Sequence, residues 1–165
     1  MRVMDMDKYV LTREDIEAYP GIEKEHFLND NARRRNTSLG DLTGLTGIGV
    51  HLVEIEPGHE STECHVHYHE DECVYILDGE ATATIGDDTV VVGSGDFIGY
   101  RAGGLPHKLE NTGQTTLRCL VVGQRLEHDV ADYPRKRKRI FRNAGLAWNL
   151  VDIDDIDEPS AGRKI

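Results

Sequence analysis

The sequence predicts an all-β barrel or sandwich flanked by an arm at each end. Two observations carry that prediction. From about Ile48 the chain breaks into short β-rich runs at near-regular spacing, and no helical period intervenes between them. The junctions between those runs carry turn chemistry: Asp78-Gly79 and Gly86-Asp87-Asp88 read as hairpin connections, and Gly93-Ser94-Gly95-Asp96 reads as a tight loop.

Taken in order, residues 1–44 lack the strand rhythm and form the first arm. Met1 to Asp7 lacks the apolar stretch of a secretory signal. Thr12-Arg13-Glu14-Asp15 can open a short helix, with Thr12 as N-cap and Asp15 closing a capping box, and Pro20-Gly21 stops it. The barrel occupies 45–125, with strands expected over 49–56, 64–67, 73–77, 81–85, 89–92, 96–100, 107–109 and 116–122. Residues 126–165 read as an extended or weakly helical extension that ends in an acidic tail with Pro159 and Gly162.

The bulk composition narrows the class of molecule. At 165 residues there is room for one domain whose core needs no disulfides. Hydrophobic residues at 38% and charged residues at 30% describe a soluble globular chain with no bilayer-spanning apolar run, and a cytoplasmic location is the expectation. Cys64, Cys73 and Cys119 show no C-x-x-C spacing, so they read as buried thiols and not as a disulfide framework or thiolate zinc site. A net charge of −11 argues against binding nucleic acid through its phosphates. The basic block Arg135-Lys136-Arg137-Lys138-Arg139 is the local exception. The nearby Asp152, Asp154, Asp155, Asp157 and Glu158 make charge pairing, within the chain or across subunits, the expected fate of that block.

The chemistry concentrates in Gly58-x6-His65-x-His67-x4-Glu72-x6-Gly79, followed by His107-x3-Asn111. Two histidines separated by one residue on a strand point to one face. Inside a barrel wall both would look inward, Glu72 would enter from the next strand, and His107 would close the set from across the sheet. Three neutral nitrogens and one hard oxygen suit one divalent ion of Mn, Fe, Ni, Co or Zn, with positions left open for water or substrate. Cys64, adjacent to His65, should face the other way.

This pattern resembles the two motifs of the cupin superfamily. The first fits with one extra residue before His65. The second appears as Gly95-x5-Arg101-Ala102-Gly103-Gly104-Leu105-Pro106-His107-x3-Asn111, again with one extra residue and with Arg101 where the family has proline. Leu39-Gly40-Asp41, Gly44-Leu45-Thr46 and the run from Asp129-Val130 to Tyr133-Pro134 are similar to small single-barrel bacterial cupins provisionally named sugar-phosphate isomerases. The resemblance implies a double-stranded β-helix with His65, His67, Glu72 and His107 as metal ligands. It also implies a small metal-dependent enzyme acting on a polar or anionic small-molecule substrate, by sugar-phosphate isomerisation if the relatives' name is followed. An Fe(II) dioxygenase or Mn decarboxylase could use the same ligands, and a non-enzymatic small-molecule binding module is the other class.

Around that set, His69 continues the alternation and reads as a rim or turn residue, while Glu70 and Asp71 read as solvated. Tyr75, Phe97, Tyr100 and Leu109 alternate within strand segments and read mainly as core. Tyr100 is also the candidate acid, base or anchor, and the adjacent Arg101 is the candidate clamp for a phosphate or carboxylate. The arms, and the strand edges of an open jelly roll, lead to the expectation of a homodimer.

Overall fold

The computed structural model describes residues 8–165, so the reading of Met1 to Asp7 lies outside the described residues. Thr12 opens α1 (Arg13–Ala18) with both hydrogen bonds of the capping box: its hydroxyl accepts from the Asp15 amide, and the Asp15 carboxylate accepts from the Thr12 amide at 2.8 Å. β1 (Ile22–His26), β2 (Asn29–Ser38), the short α2 (Leu39–Leu42) and β3 (Ile48–Ile55) follow. Next come β4 (Val66–His67), β5 (Glu72–Asp78), β6 (Glu80–Ile85), β7 (Asp88–Gly93), β8 (Phe97–Tyr100), β9 (His107–Glu110) and β10 (Leu117–Gln124). The chain ends with β11 (His128–Tyr133), β12 (Lys138–Asn143) and β13 (Asn149–Asp152). No helix among the described residues is long and apolar enough to cross a membrane.

The strands form a six-stranded sheet ordered β1-β2-β3-β10-β5-β8, a three-stranded sheet β7-β6-β9 and a four-stranded sheet β13-β12-β11-β4. Between them lies an apolar core built from the inward residues of alternating strands, among them Val53, Ile55, Val74, Ile76, Leu109, Leu117 and Cys119. Gly79 makes the tight β5–β6 connection at φ +91, where a Cβ would also stand 3.0 Å from the Leu117 Cα.

Two features differ from the sequence expectation. The N-terminal segment is more than an arm laid on the barrel, because β2 pairs with β3 from Arg35↔Glu54 to Ser38↔His51 and extends the large sheet. The C-terminal extension is likewise stranded, with β11 pairing β4 through Ala131↔His67. Strand parity also corrects two core assignments. Val74 and Ile76 face inward, so Tyr75 is 44% exposed, and its cross-strand neighbour Phe97 is 65% exposed. Tyr100 and Leu109 are buried as expected.

Within the basic block, Arg137 pairs with Asp154, Lys138 with Asp152 and Arg139 with Asp132, all within the chain. These contacts account for much of the block's charge without an external partner. The exposed pairs to Asp154 and Asp152 contribute little stability each.

Candidate metal centre

His65 and His107 sit opposite each other on neighbouring backbone segments that exchange both hydrogen bonds, at 3.1 and 2.9 Å. That antiparallel pairing puts their side chains on one face, with ring centroids 4.7 Å apart. Two residues on, His67 is held by β11, and its ring centroid lies 4.9 Å from that of His65. The 65–67 segment therefore joins the three-stranded sheet to the four-stranded one, with its two histidines facing the same space. Glu72, at the start of β5, enters from the large sheet. One ligand atom each from His65, His67 and Glu72 lie within 4.8 Å of one another. His107 is not part of that trio; it lines the same cavity as His65 and Glu72.

The hydrogen bonds fix which nitrogen of each ring is free. Nδ1 of His65 meets the Glu63 carbonyl at 2.9 Å, Nδ1 of His107 meets the Leu105 carbonyl at 3.1 Å, and Nδ1 of His67 meets the Asp129 carboxylate at 2.6 Å. Acceptors at all three Nδ1 atoms assign the proton there and leave the Nε2 lone pairs for a ligand, the arrangement found around metal-bound histidines. His107 Nε2 is fully buried and has no hydrogen-bond partner among the described residues. Burial lowers the pKa of His65 to about 3 and that of His107 to about 4, so both rings are neutral and able to coordinate near pH 7. Unpaired lone pairs, neutral imidazoles and one carboxylate fit a divalent transition metal.

Asp129 is a residue that sequence reasoning quoted without giving it a role. Its fully buried carboxylate accepts from His67 Nδ1, from the His69 amide at 3.1 Å and from Arg142 at 2.7 Å. Burial alone would raise its pKa, but the bonds from His67 and Arg142 outweigh it and hold the group well below the usual carboxylate range. Glu70, expected to be solvated, is buried: it accepts from Arg142 and from the Leu126 amide. His67, Glu70 and Asp129 also lie close enough to suggest a second metal cluster. The Arg142 guanidinium already bonds both carboxylates, so that cluster is a charge-paired support for His67.

Tyr100 stacks on His107 with centroids 3.6 Å apart and planes 4° from parallel, and its buried hydroxyl has no partner among the described residues. Burial, then the nearby Glu72, pushes its phenol well above the ordinary value. Near neutral pH it is therefore a proton-bearing donor and not a base. Arg101 lines neither of the two cavities that His65 lines. It is exposed just past β8, where it lines a shallow surface pocket together with Glu72 and Tyr100. The extra loop residue is absorbed by a turn in which the Gly104 amide bonds the Arg101 carbonyl at 3.0 Å, with no room for a Cβ on Gly104. His69 is exposed, and Cys64, though buried, lines neither cavity described below.

His65 and Glu72 line an inner cavity of about 210 Å³, together with Tyr100 and His107. It adjoins an outer chamber of about 660 Å³ framed by the β1–β2 hairpin on one side and by Tyr133, Arg142 and Trp148 on the other. Lys24, Arg34 and His51 line both spaces. Lys24 and Arg34 come from the segment that sequence reasoning treated as a packing arm. The available signal was a polar segment with three consecutive arginines, Arg33 to Arg35.

Comparison with known proteins agrees with this fold. The Cupin_2 family, described as a cupin domain, matches residues 51–123. A crystal structure of a protein from Acidithiobacillus ferrooxidans, provisionally named a sugar phosphate isomerase, superposes with a TM-score of 0.89 at 48% identity, covering 94% of this chain and 99% of the other. A cupin-superfamily sugar phosphate isomerase from Silicibacter pomeroyi superposes at 0.74 with 28% identity, over 87% and 88% of the two chains. An uncharacterized protein of Methanocaldococcus jannaschii is 37% identical over 75 residues, 45% of this chain and 59% of that relative, so the chain spans about three fifths of that curated protein's length. With its two motifs on a double-sheet barrel and a near full-length relative at 48% identity, the chain belongs to the cupin superfamily.

Proposed function

We propose that the protein is a metal-dependent enzyme that interconverts the aldehyde and ketone forms of a small sugar phosphate, with His65, His67, Glu72 and His107 as the metal ligands. The single observation that carries this reading is the set of three imidazoles with occupied Nδ1 atoms and free Nε2 atoms, near one carboxylate beside a small cavity. A divalent ion bound there would polarise a substrate carbonyl and its neighbouring hydroxyl. Tyr100 keeps its proton and can donate a hydrogen bond to the oxygen that gains charge, from its place in the cavity lining. Asp129 and Arg142 hold His67 in one tautomer and orientation. Further support comes from the names of the Acidithiobacillus ferrooxidans and Silicibacter pomeroyi relatives.

The test is proton NMR of triose to hexose phosphates in D₂O with protein loaded separately with Mn, Fe, Co, Ni and Zn. Interconversion with deuterium appearing next to the carbonyl is the expected result. No conversion of any substrate by any loaded form would overturn the isomerase reading. Oxygen consumption with the Fe(II) form, or carbon dioxide released from a dicarboxylate by the Mn form, would replace it with the corresponding oxygenase or decarboxylase.

A homodimer belongs to the same proposal. Its support is an apolar row across the outer face of the large sheet, Leu52, Leu120, Tyr75 and Phe97, aligned by the registers Leu52↔Leu120, Leu120↔Tyr75 and Tyr75↔Phe97. Such a row on a monomer surface leaves large side chains in water that association would cover. Light scattering at micromolar protein is expected to give the dimer mass, and Phe97→Glu is expected to shift it to monomer. A monomer mass for the wild type would contradict the assembly.

A further inference from the structure

β2 carries three consecutive arginines whose surroundings differ. Arg33 and Arg35 point outward and pair across the hairpin with Glu25 at 3.0 Å and Glu23 at 2.9 Å, and Arg35 also reaches Glu54 at 3.4 Å. Arg34 points to the other side by strand alternation, and it lines both the inner cavity and the outer chamber with His65 and Glu72. Its one hydrogen bond runs from Nη1 to the Ser61 carbonyl. No carboxylate of the described residues pairs with it, in contrast to its two neighbours. Burial holds its pKa below the usual arginine value despite the pull of Glu72 and Tyr133, whereas that of Arg35 is raised by its glutamate partners.

Charge counting in the inner cavity points the same way. Lys24, Arg34 and Lys108 line it against the single carboxylate of Glu72. Lys108 is spoken for, because it pairs with Glu60. What remains is two cations facing one carboxylate, and that carboxylate is a proposed metal ligand. A part-buried guanidinium with free donors toward a cavity is costly to keep unpaired, and it cannot shed its proton to relieve that cost. The cavity volume, about 210 Å³, lies below the roughly 300–1,000 Å³ range of drug-sized ligand sites and suits a small molecule.

We infer that Arg34, assisted by Lys24, is the anion-recognition residue of this cavity, and that the substrate is a small molecule with an oxyanion at the end away from the reacting group. The placement of the reacting end at His65, His67, Glu72 and His107 rests on the proposed function; the anion subsite itself does not. Specificity would then come from the N-terminal hairpin, outside the residues that match the family domain. The planar fork of Arg34 suits phosphate and carboxylate alike, so the shared chemistry is a small oxyanion.

The experiment is calorimetric titration of EDTA-treated wild type, Arg34→Met, Arg34→Gln and Arg34→Lys with inorganic phosphate, malonate and neutral xylitol, with melting and metal content measured alongside. Wild type is expected to bind phosphate or malonate, and the tighter of the two names the anion. Both neutral variants should bind it about ten- to a hundredfold more weakly, with the lysine variant intermediate. Two neutral replacements are included so that a folding defect in one leaves the other to decide. Anion affinity unchanged in a folded neutral variant, failure of the wild type to bind either anion, or preference for xylitol would overturn the assignment. Loss of the metal reading would show separately, as failure of the wild type to take up added Mn, Fe, Co, Ni or Zn while the EDTA-treated protein still binds the anion through Arg34.

Discussion

His67→Ala is expected to abolish stoichiometric binding of a divalent metal while the protein stays folded, and Asp129→Asn is expected to weaken the same binding by about ten- to a hundredfold. The first effect removes one of four proposed ligands on a barrel whose stability comes from the apolar faces of β3, β5, β6 and β10. The second reaches the metal through His67. The Asp129 carboxylate receives the Nδ1 proton at 2.6 Å, which fixes the tautomer and makes Nε2 a better donor to a metal. An amide of the same shape weakens that charge-assisted bond but keeps the packing, and Arg142 retains Glu70 as a partner. Metal titration followed by calorimetry checks both variants, with melting as the control for folding. Wild-type affinity in Asp129→Asn would show that the His67–Asp129 contact is structural only.

Asn111→Ala is expected to destabilise the fold by about 3–5 kcal/mol, with metal ligation untouched. The motif residue His107 and the motif residue Asn111 thus separate into different roles. Asn111 has no exposed surface, and its side chain donates to the Ile55 carbonyl at 2.7 Å and the Thr115 carbonyl at 2.9 Å while accepting from the Gly113 amide at 3.0 Å. Truncation leaves buried backbone groups without partners, at roughly 1–3 kcal/mol each with incomplete additivity. For a chain of this size the melting temperature should fall by about 10 °C or more. Urea denaturation measures the change directly; a loss below about 1 kcal/mol would mean that the backbone finds other partners.

The strands between Ile48 and Gln124 were legible because their turns carry glycine and aspartate and their inward residues are apolar. β1 and β2 were not. Their cross-strand order comes from charged pairs such as Arg33–Glu25 and Arg35–Glu23, and the inner face of β2 looks into a polar cavity, so Arg34 and Asn36 stand where an alternating strand would show apolar residues. β12 and β13 escaped for a similar reason, with Lys138 paired to Asp152 across them. His65, His67 and Glu72 come together because their spacing reflects strand parity and pairing, which a sequence encodes directly. The Arg34 and Asp129 contributions depend on chain segments distant in sequence that only the sheets bring together. Parity accounts for the different exposure of Tyr100 and Arg101: Tyr100 is buried at the end of β8, and the next residue is exposed.

The central claim is that the three free Nε2 atoms and Glu72 hold a metal. It is tested most directly by elemental analysis of wild-type protein purified without chelator and then incubated in turn with Mn, Fe, Co, Ni and Zn. The predicted result is about one ion per chain for at least one metal, falling below about 0.1 in His67→Ala. Wild-type protein that stays below about 0.1 ion per chain with every metal would contradict the account.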